Sequence, residues 1–376
     1  MVKIIRPGKY IREISKSIKT IEGITTNTTA FIGVSEKGPQ DYAMPISSFA
    51  EFQANYGSFL KGNWLAYAVQ QFFNNGGTRL YIARVSCTDK RSPTESDYQS
   101  AFSLLDSIKD INLIAVPGIG SPSIFSFGSN YCEKRGDSFF LGEMKESDTS
   151  LVKAQSFFNR VAVKNSFGAV FFPWIKIKDP ANFSPNPIAV PPSASVAGVI
   201  ARTDIARGVW KSPAGPESNI VDAVGLVANV SGQEQNSFNN MGINTIRSFP
   251  GRGIFIWGAR TLGTSSSSEY KYISVRRLSI FIEQSIQQGT QWVVFEANEK
   301  PLWENIRTVV SNFMMGLFKA GALQGSKPDD AYFVKCGKDT TTQMEINQGI
   351  LNITVGFSPL RPTEFSILKI IHRLNS

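Results

Sequence analysis

The chain has 376 residues, 42% of them apolar and 18% charged, with a formal net charge of +9. That length exceeds one minimal core and suits two units, while no stretch nears the roughly 18 consecutive apolar residues of a membrane-spanning helix. Cys87, Cys132 and Cys336 are widely spaced and His372 is the sole histidine, which argues against a zinc centre or a disulfide framework and for folding in a reducing cytoplasm.

Residues 1–20 carry six basic side chains (Lys3, Arg6, Lys9, Arg12, Lys16, Lys19) against Glu13, so over half of the surplus charge sits in one short arm. Pro7-Gly8 punctuates a weak alternation, which reads as an extended arm and not a domain. No apolar core of an export signal follows it. Such an arm fits an acidic protein groove as well as it fits phosphate.

A strand is expected at 29–34. Ser48 and Glu51 have capping-box spacing before a short helix carrying Phe49, Phe52 and Tyr56. A second helix runs from Asn63 to Asn75, stopped by Gly76-Gly77, with Leu65, Ala68 and Phe72 as its core stripe. Strand 79–85, helix 97–109, strands 112–116 and 137–141, helix 149–161 and strand 168–177 follow. The Ser/Phe/Gly-rich stretch 121–130 reads as a surface loop. Residues 179–192 read as a Pro-rich loop leading into a helix at 196–207. The alternation predicts an α/β (α+β) fold of mixed sheets covered by helices.

From Gln233 to Gly242 the sequence turns polar and Asn-rich, and the boundary between two domains is placed there. The resulting division is an arm at 1–20, a first α/β domain at 21–235, a second at 236–360 and a terminal strand at 361–376. Strands 243–249 and 253–257 flank a turn at Pro250-Gly251-Arg252. A helix at 271–288 with Leu278, Phe281, Ile282 and Ile286 inward, a strand at 291–296 and a long helix opening near Pro301 complete the pattern. On that helix Trp303, Ile306, Val310, Phe313 and Leu317 form one stripe, opposite Glu304, Arg307, Thr308, Ser311, Asn312 and Lys319. Strands at 331–335 and 351–357 precede Pro359 and Pro362. The tail at 364–374 is too apolar for a free end and is expected to pair.

Catalytic chemistry is thin. Gly118-Ile119-Gly120 follows a strand, as a dinucleotide turn would, yet Ser123 stands where a third glycine belongs. Gly321 to Lys327 follows a helix where a phosphate loop would precede one. No GxSxG elbow occurs, no carboxylate pair has marked spacing, and one terminal histidine removes the commonest general base. The chain reads as no enzyme, with no cofactor and no metal.

Motifs in sequence order carry a resemblance. They are Pro7-Gly8-Lys9-Tyr10-Ile11-Arg12-Glu13, Ala30-Phe31-Ile32-Gly33, and Phe72-Phe73-Asn74-Asn75-Gly76-Gly77 with Tyr81-Ile82-Ala83-Arg84-Val85. Pro191-Pro192-Ser193 through Ala201-Arg202-Thr203-Asp204 to Arg207-Gly208-Val209-Trp210-Lys211 follows. Trp257-Gly258-Ala259-Arg260-Thr261-Leu262, Gln291-Trp292-Val293-Val294-Phe295-Glu296 and Gly321-Ala322-Leu323-Gln324-Gly325 complete the set. Along nearly its whole length the sequence resembles the phage tail sheath family, in a minimal two-domain form.

The resemblance implies a structural subunit that polymerises with itself around an inner tube. Such a sheath contracts from a metastable extended state and drives the tube through a target envelope, with baseplate and terminal cap proteins as further partners. It implies strand exchange between subunits, here at Ile4, Ile5, Tyr10 and Ile11 in the arm and Phe365, Ile367, Lys369 and Ile371 in the tail. Joints near 16–23 and 358–362 would absorb rotation. The second domain would face the tube, with Glu304, Arg307 and Lys319 of the long helix as contacts and Arg276 or Lys327 as substitutes. Neither membrane insertion nor nucleic acid is expected; assembly would take place in the bacterial cytoplasm, and the product would be a virion or extracellular particle. The alternatives are a nucleotide-binding enzyme at Gly118–Gly120 and a basic nucleic-acid-binding protein.

Overall fold

The computed structural model describes residues 19–86, 93–265, 269–360 and 366–373. In chain order the elements begin β1 (Thr28–Gly33), β2 (Met44–Ile46), α1 (Phe49–Tyr56), α2 (Leu65–Asn74), β3 (Arg79–Arg84), α3 (Glu95–Ala101), β4 (Leu113–Ala115) and α4 (Pro122–Arg135). Next come β5 (Phe139–Glu143), α5 (Leu151–Arg160), β6 (Gly168–Phe172), β7 (Ile175–Ile177), β8 (Ile188–Val190), α6 (Pro192–Arg207), β9 (Ala223–Leu226) and α7 (Gly232–Met241). The last are β10 (Ile243–Phe249), β11 (Gly253–Ile256), α8 (Ile273–Gly289), α9 (Lys300–Lys319), α10 (Pro328–Ala331), β12 (Tyr332–Cys336), α11 (Gln343–Asn347), β13 (Ile350–Phe357) and β14 (Ser366–Arg373).

The fold is mixed α/β. An eight-stranded sheet in the order β11-β10-β6-β5-β4-β1-β3-β2 organises the first unit. Its six inner strands are parallel, and β2 and β11 close the edges antiparallel. Parallel strands connected by helices are covered on both faces, so they read as unbroken apolar runs. Phe31, Leu113, Phe139 and Phe171 point to one side, where Ala68 and Phe72 of α2 and Val196 and Val199 of α6 meet them. Ala30, Ile114, Phe140 and Val170 point to the other, against Ile124 and Phe125 of α4, Phe157 of α5 and Phe238 of α7. Helices α2 and α6 meet backbone to backbone at Gly198, where a Cβ would lie 2.5 Å from the Phe72 carbonyl oxygen.

Ser48 accepts from the Glu51 amide as its capping spacing requires, but the Glu51 carboxylate reaches back one residue further, to the amide and hydroxyl of Ser47. Several expectations need correction. Residues 121–130 are not a loop but the first part of α4, capped by Ser121 and opened by Pro122. Its small residues are buried because Phe140 fills the space beside Gly128, and because the Ser126 hydroxyl bonds Pro122, Ala162 and Val163 backbone. The strand expected at 168–177 divides at Pro173, which has no N–H for the ladder. Beyond it the chain enters a small sheet, β8-β7-β9; β8 therefore interrupts the stretch read as a loop.

The polar stretch expected to end the first domain at 235 is helix α7. Its Phe238 stacks on Phe172 at 5.1 Å, and β10 continues the large sheet beside β6. Polar residues there mark the outer face of a covering helix. The crossing to the second unit comes after β11. That unit packs α8 and α9 against the sheet β12-β13-β14 around Leu278, Ile282, Ile306, Val310, Ile353, Val355, Leu368 and Ile370. Residues 291–295, expected as a strand, form a 3-10 turn directly after α8, where the Val293 amide donates to the Thr290 carbonyl and the Glu296 amide to the Val293 carbonyl.

Candidate assembly surfaces and the joint between units

Helix α8 holds the two units together. Adjacent residues on a helix point about 100° apart, so Arg276 and Arg277 reach different parts of the first unit. Arg277 donates Nη1 to Asp204 Oδ1 at 2.9 Å and Nη2 to Asp204 Oδ2 at 2.6 Å, with Nη2 also 2.7 Å from the Thr26 carbonyl. Both side chains are almost fully buried, at 5% and 2% exposure. Arg276 donates to Ser166 Oγ at 2.9 and 2.6 Å, and its guanidinium lies 3.5 Å from the centre of the Tyr270 ring. Arg276 is thus committed inside the chain and is not a free surface cation.

The segment entering β1 is tied to the same helix. Lys19 sits 3.6 Å over the Trp292 ring and 3.6 Å from Glu296. Ile21 packs on Gly289 and Gly23 on Phe281, while the Ile24 amide donates to Ser285 Oγ at 3.1 Å. The joint expected at 16–23 is therefore anchored from Lys19 onward.

The terminal sheet carries the C-terminal strand. Within the chain, β14 pairs antiparallel with β13 over its full length, from Ser366 opposite Phe357 to Arg373 opposite Ile350. Leu368, Ile370 and His372 face inward; Lys369, Ile371 and Arg373 face outward, Ile371 being 56% exposed. The far edge of β14 meets no strand among the described residues. Nearby in the 3-10 turn, Phe295 is 83% exposed. Of the proposed exchange positions, Ile4, Ile5, Tyr10, Ile11 and Phe365 lie outside the described residues. Ile367, Lys369 and Ile371 share β14.

Along α9, Trp303, Ile306, Val310 and Leu317 are buried as their spacing predicts. Glu304 and Lys319 are exposed, with Lys300 3.8 Å from Glu304. Arg307 is half-buried and donates Nη1 to the Cys336 carbonyl at 2.8 Å, fastening the end of β12. Lys327 is exposed and lies 3.9 Å from Asp330. The structure therefore spreads these charges along the second unit without forming a cluster.

The glycine turn lies at the carboxyl ends of β4 and β5, beside a crevice of about 600 Å³. A Cβ at Gly118 would lie 2.3 Å from Trp64, and one at Gly120 would lie 2.2 Å from the Lys145 amide nitrogen. Close packing alone requires both glycines. The start of α4 is capped by its own Ser121, which donates to Glu95. Glu95 and Glu146 line the crevice against one cation, Lys145, a balance that opposes a phosphate. Beneath it Glu143 accepts the Gly118 and Ser193 amides, while burial pushes its carboxyl up to about 7. Burial also pushes the Cys132 and Cys336 thiols up to about 12, which leaves them unreactive. Among the described residues no acidic, cysteine or histidine cluster could hold a metal, and no helix is long and apolar enough to cross a membrane.

Sequence reasoning missed the Arg277–Asp204 pair. Its partners are 73 residues apart, and two adjacent arginines on a helix look like a solvated face.

Comparison with known proteins gives one consistent answer. Residues 92–262 match the phage tail sheath protein central domain, and residues 265–372 match the phage tail sheath C-terminal domain. The tail sheath protein of Enterobacteria phage T4 is 26% identical over 183 residues, covering 48% of this chain and 27% of that protein. A putative prophage major tail sheath protein of Pseudomonas aeruginosa is 27% identical over 212 residues, covering 54% and 52%. The chain thus spans about a quarter to about half of these relatives. Solved structures match end to end. The sheath complex of the extracellular contractile injection system PVC, in its contracted state, is 30% identical over 98% of both chains with a TM-score of 0.76. The helical sheath of the anti-feeding prophage, also contracted, is 29% identical over 98% of this chain and 99% of that one, with a TM-score of 0.78.

Proposed function

The chain belongs to the phage tail sheath family, and from that premise we propose that it is the structural subunit of a contractile sheath. Copies polymerise around an inner tube in a metastable extended state, anchored to a baseplate and closed by a cap protein. Contraction then drives the tube through a target envelope. The observation that carries this reading is the end-to-end match, at 30% identity over 98% of both chains, to a sheath in its contracted form. Assembly in the bacterial cytoplasm, before incorporation into a virion or an extracellular particle, follows from the same reading.

The energy source is conformational. A gain of ~1–2 kcal/mol per subunit, the size of burying one or two methylene groups, becomes large when summed over a polymer. A catalytic centre is not needed for that release, and the packed glycine turn fits a chain that does no nucleotide chemistry.

Terminal strands supply the connections. Pairing β14 with the β13 of its own chain or of a neighbour makes the same hydrogen bonds, so exchange costs little beyond the geometry of the connecting segment. That segment carries Pro359 and Pro362, and the arm before Lys19 is the counterpart at the other end. The outward row of β14 and the exposed Phe295 flank an edge suited to strand addition. On the tube side, Glu304, exposed beside Lys300, and Lys319 of α9 are placed to meet the tube, whereas Arg307 serves mainly to brace β12.

Negative-stain electron microscopy of the purified chain tests the reading. Rings or tubes are expected, and removing residues 2–14 should leave soluble, unpolymerised subunits. Long ordered tubes from the truncated chain would refute the role of the arm.

A further inference from the structure

His372, the chain's one histidine, lies on the inward face of β14 and is 7% exposed. Its Nε2 is 2.8 Å from the hydroxyl of Thr290, the residue that ends α8. The Thr290 hydroxyl spends its single proton on the Ile286 carbonyl, 2.6 Å away. Nε2 must therefore carry the hydrogen and donate it, and a neutral ring does so without a second N–H. Protonation would keep that bond but add an Nδ1–H with no acceptor among the described residues and place a charge in the apolar seam between β14 and α8, so the neutral ring is the form that docks best. Opposite His372 in the ladder is Leu351. From α8 the ring meets Thr290, and no charged group of α8, the 3-10 turn, β13 or α9 acts on it among the described residues. Burial alone pulls its pKa below the ordinary value.

We propose that this contact is a proton-sensitive latch: neutral His372 fastens the C-terminal strand to the end of α8, and protonating the ring loosens the strand. The sign follows from linkage. The released ring titrates near 6.5 and the docked ring lower. Docking is complete above that value and weakens up to tenfold per pH unit below it, until the docked ring also takes its proton. The proposal concerns the inward face of β14 against α8, so it stands whether the strand docks on its own chain or on a neighbour's. In a lattice joined by such strands, acid would favour their transfer.

A single histidine makes the test unambiguous. The full chain with carbon-13-labelled histidine gives one ring signal, expected to titrate below 6.5. Hydrogen exchange, corrected for its chemical pH dependence, should rise several-fold and at most about tenfold in residues 366–373 between about pH 7.5 and about pH 5.5, with β12 changing less. His372→Gln keeps a neutral donor toward Thr290 and should remove the response. A ring titrating at or above 6.5, or wild-type β14 equally protected at both pH values, would overturn the latch. So would an equal acid response in the glutamine variant. The first two outcomes are read on the wild-type chain and do not depend on the variant folding.

Discussion

At the scale of single residues, the sharpest feature is a charge pair that no local pattern announces. Asp204 belongs to the Ala-Arg-Thr-Asp run and Arg277 to an ordinary-looking helix, and only the fold brings them within 2.6 Å. Taking two charges out of water is expensive, so the pair contributes position more than stability. Breaking it on one side strands a buried charge. Asp204→Ala should therefore lower unfolding free energy by about 3–5 kcal/mol, measured by denaturant titration of the isolated subunit. Replacing both partners by apolar residues, as in Asp204→Leu with Arg277→Met, should cost far less. Equal losses in the single and double variants would show that the pair holds no fixed geometry. His372 makes the same point from the other direction. Its isolation in the sequence argued against catalysis, and its burial against Thr290 gives it a different use.

At the scale of elements, legibility followed the strength of the hydrophobic signal. The buried strands and the stripes of α2 and α9 were plain because their periodicities are long and clean. Helix α4 was missed because Ser126, Gly128 and Ser129 occupy its inward face; neighbouring phenylalanines supply the bulk that the pattern lacks. Residues 291–295 carry a strand-like composition, yet the end of α8 leaves them only turn geometry. The motif run Pro191 to Asp204 was recognisable as a block, but its purpose was not. In the structure it packs α6 against α2, with Gly198 at the closest point. Gly198→Ala adds a Cβ 2.5 Å from the Phe72 carbonyl. It should force the helices apart and cost about 1–3 kcal/mol, seen as a lowered melting temperature. An unchanged melting temperature would mean that α2 and α6 are not held at this distance.

At the scale of the whole molecule, two units and an assembly role were readable, while the division between them was misplaced. A change of composition marked a covering helix, not a joint, because sheet continuity from β6 to β10 depends on pairing Ile243–Thr245 with Val170–Phe172, far apart in the chain, which local sequence cannot display. The joint itself is buried and braced by Arg276, Arg277 and residues 19–24. Rearrangement between subunits is therefore expected at the terminal connections, with α8 keeping the two units in fixed relation.

That expectation has a direct measurement. Thr354 and Lys369 face each other across β13 and β14, so Thr354→Cys with Lys369→Cys can be joined by mild oxidation of assembled tubes. Electrophoresis without reductant should then show a ladder of covalent oligomers that the wild-type chain does not form. Efficient cross-linking that yields only monomers from intact tubes would mean that each copy keeps its own terminal strand, and strand exchange as the link between subunits would be wrong.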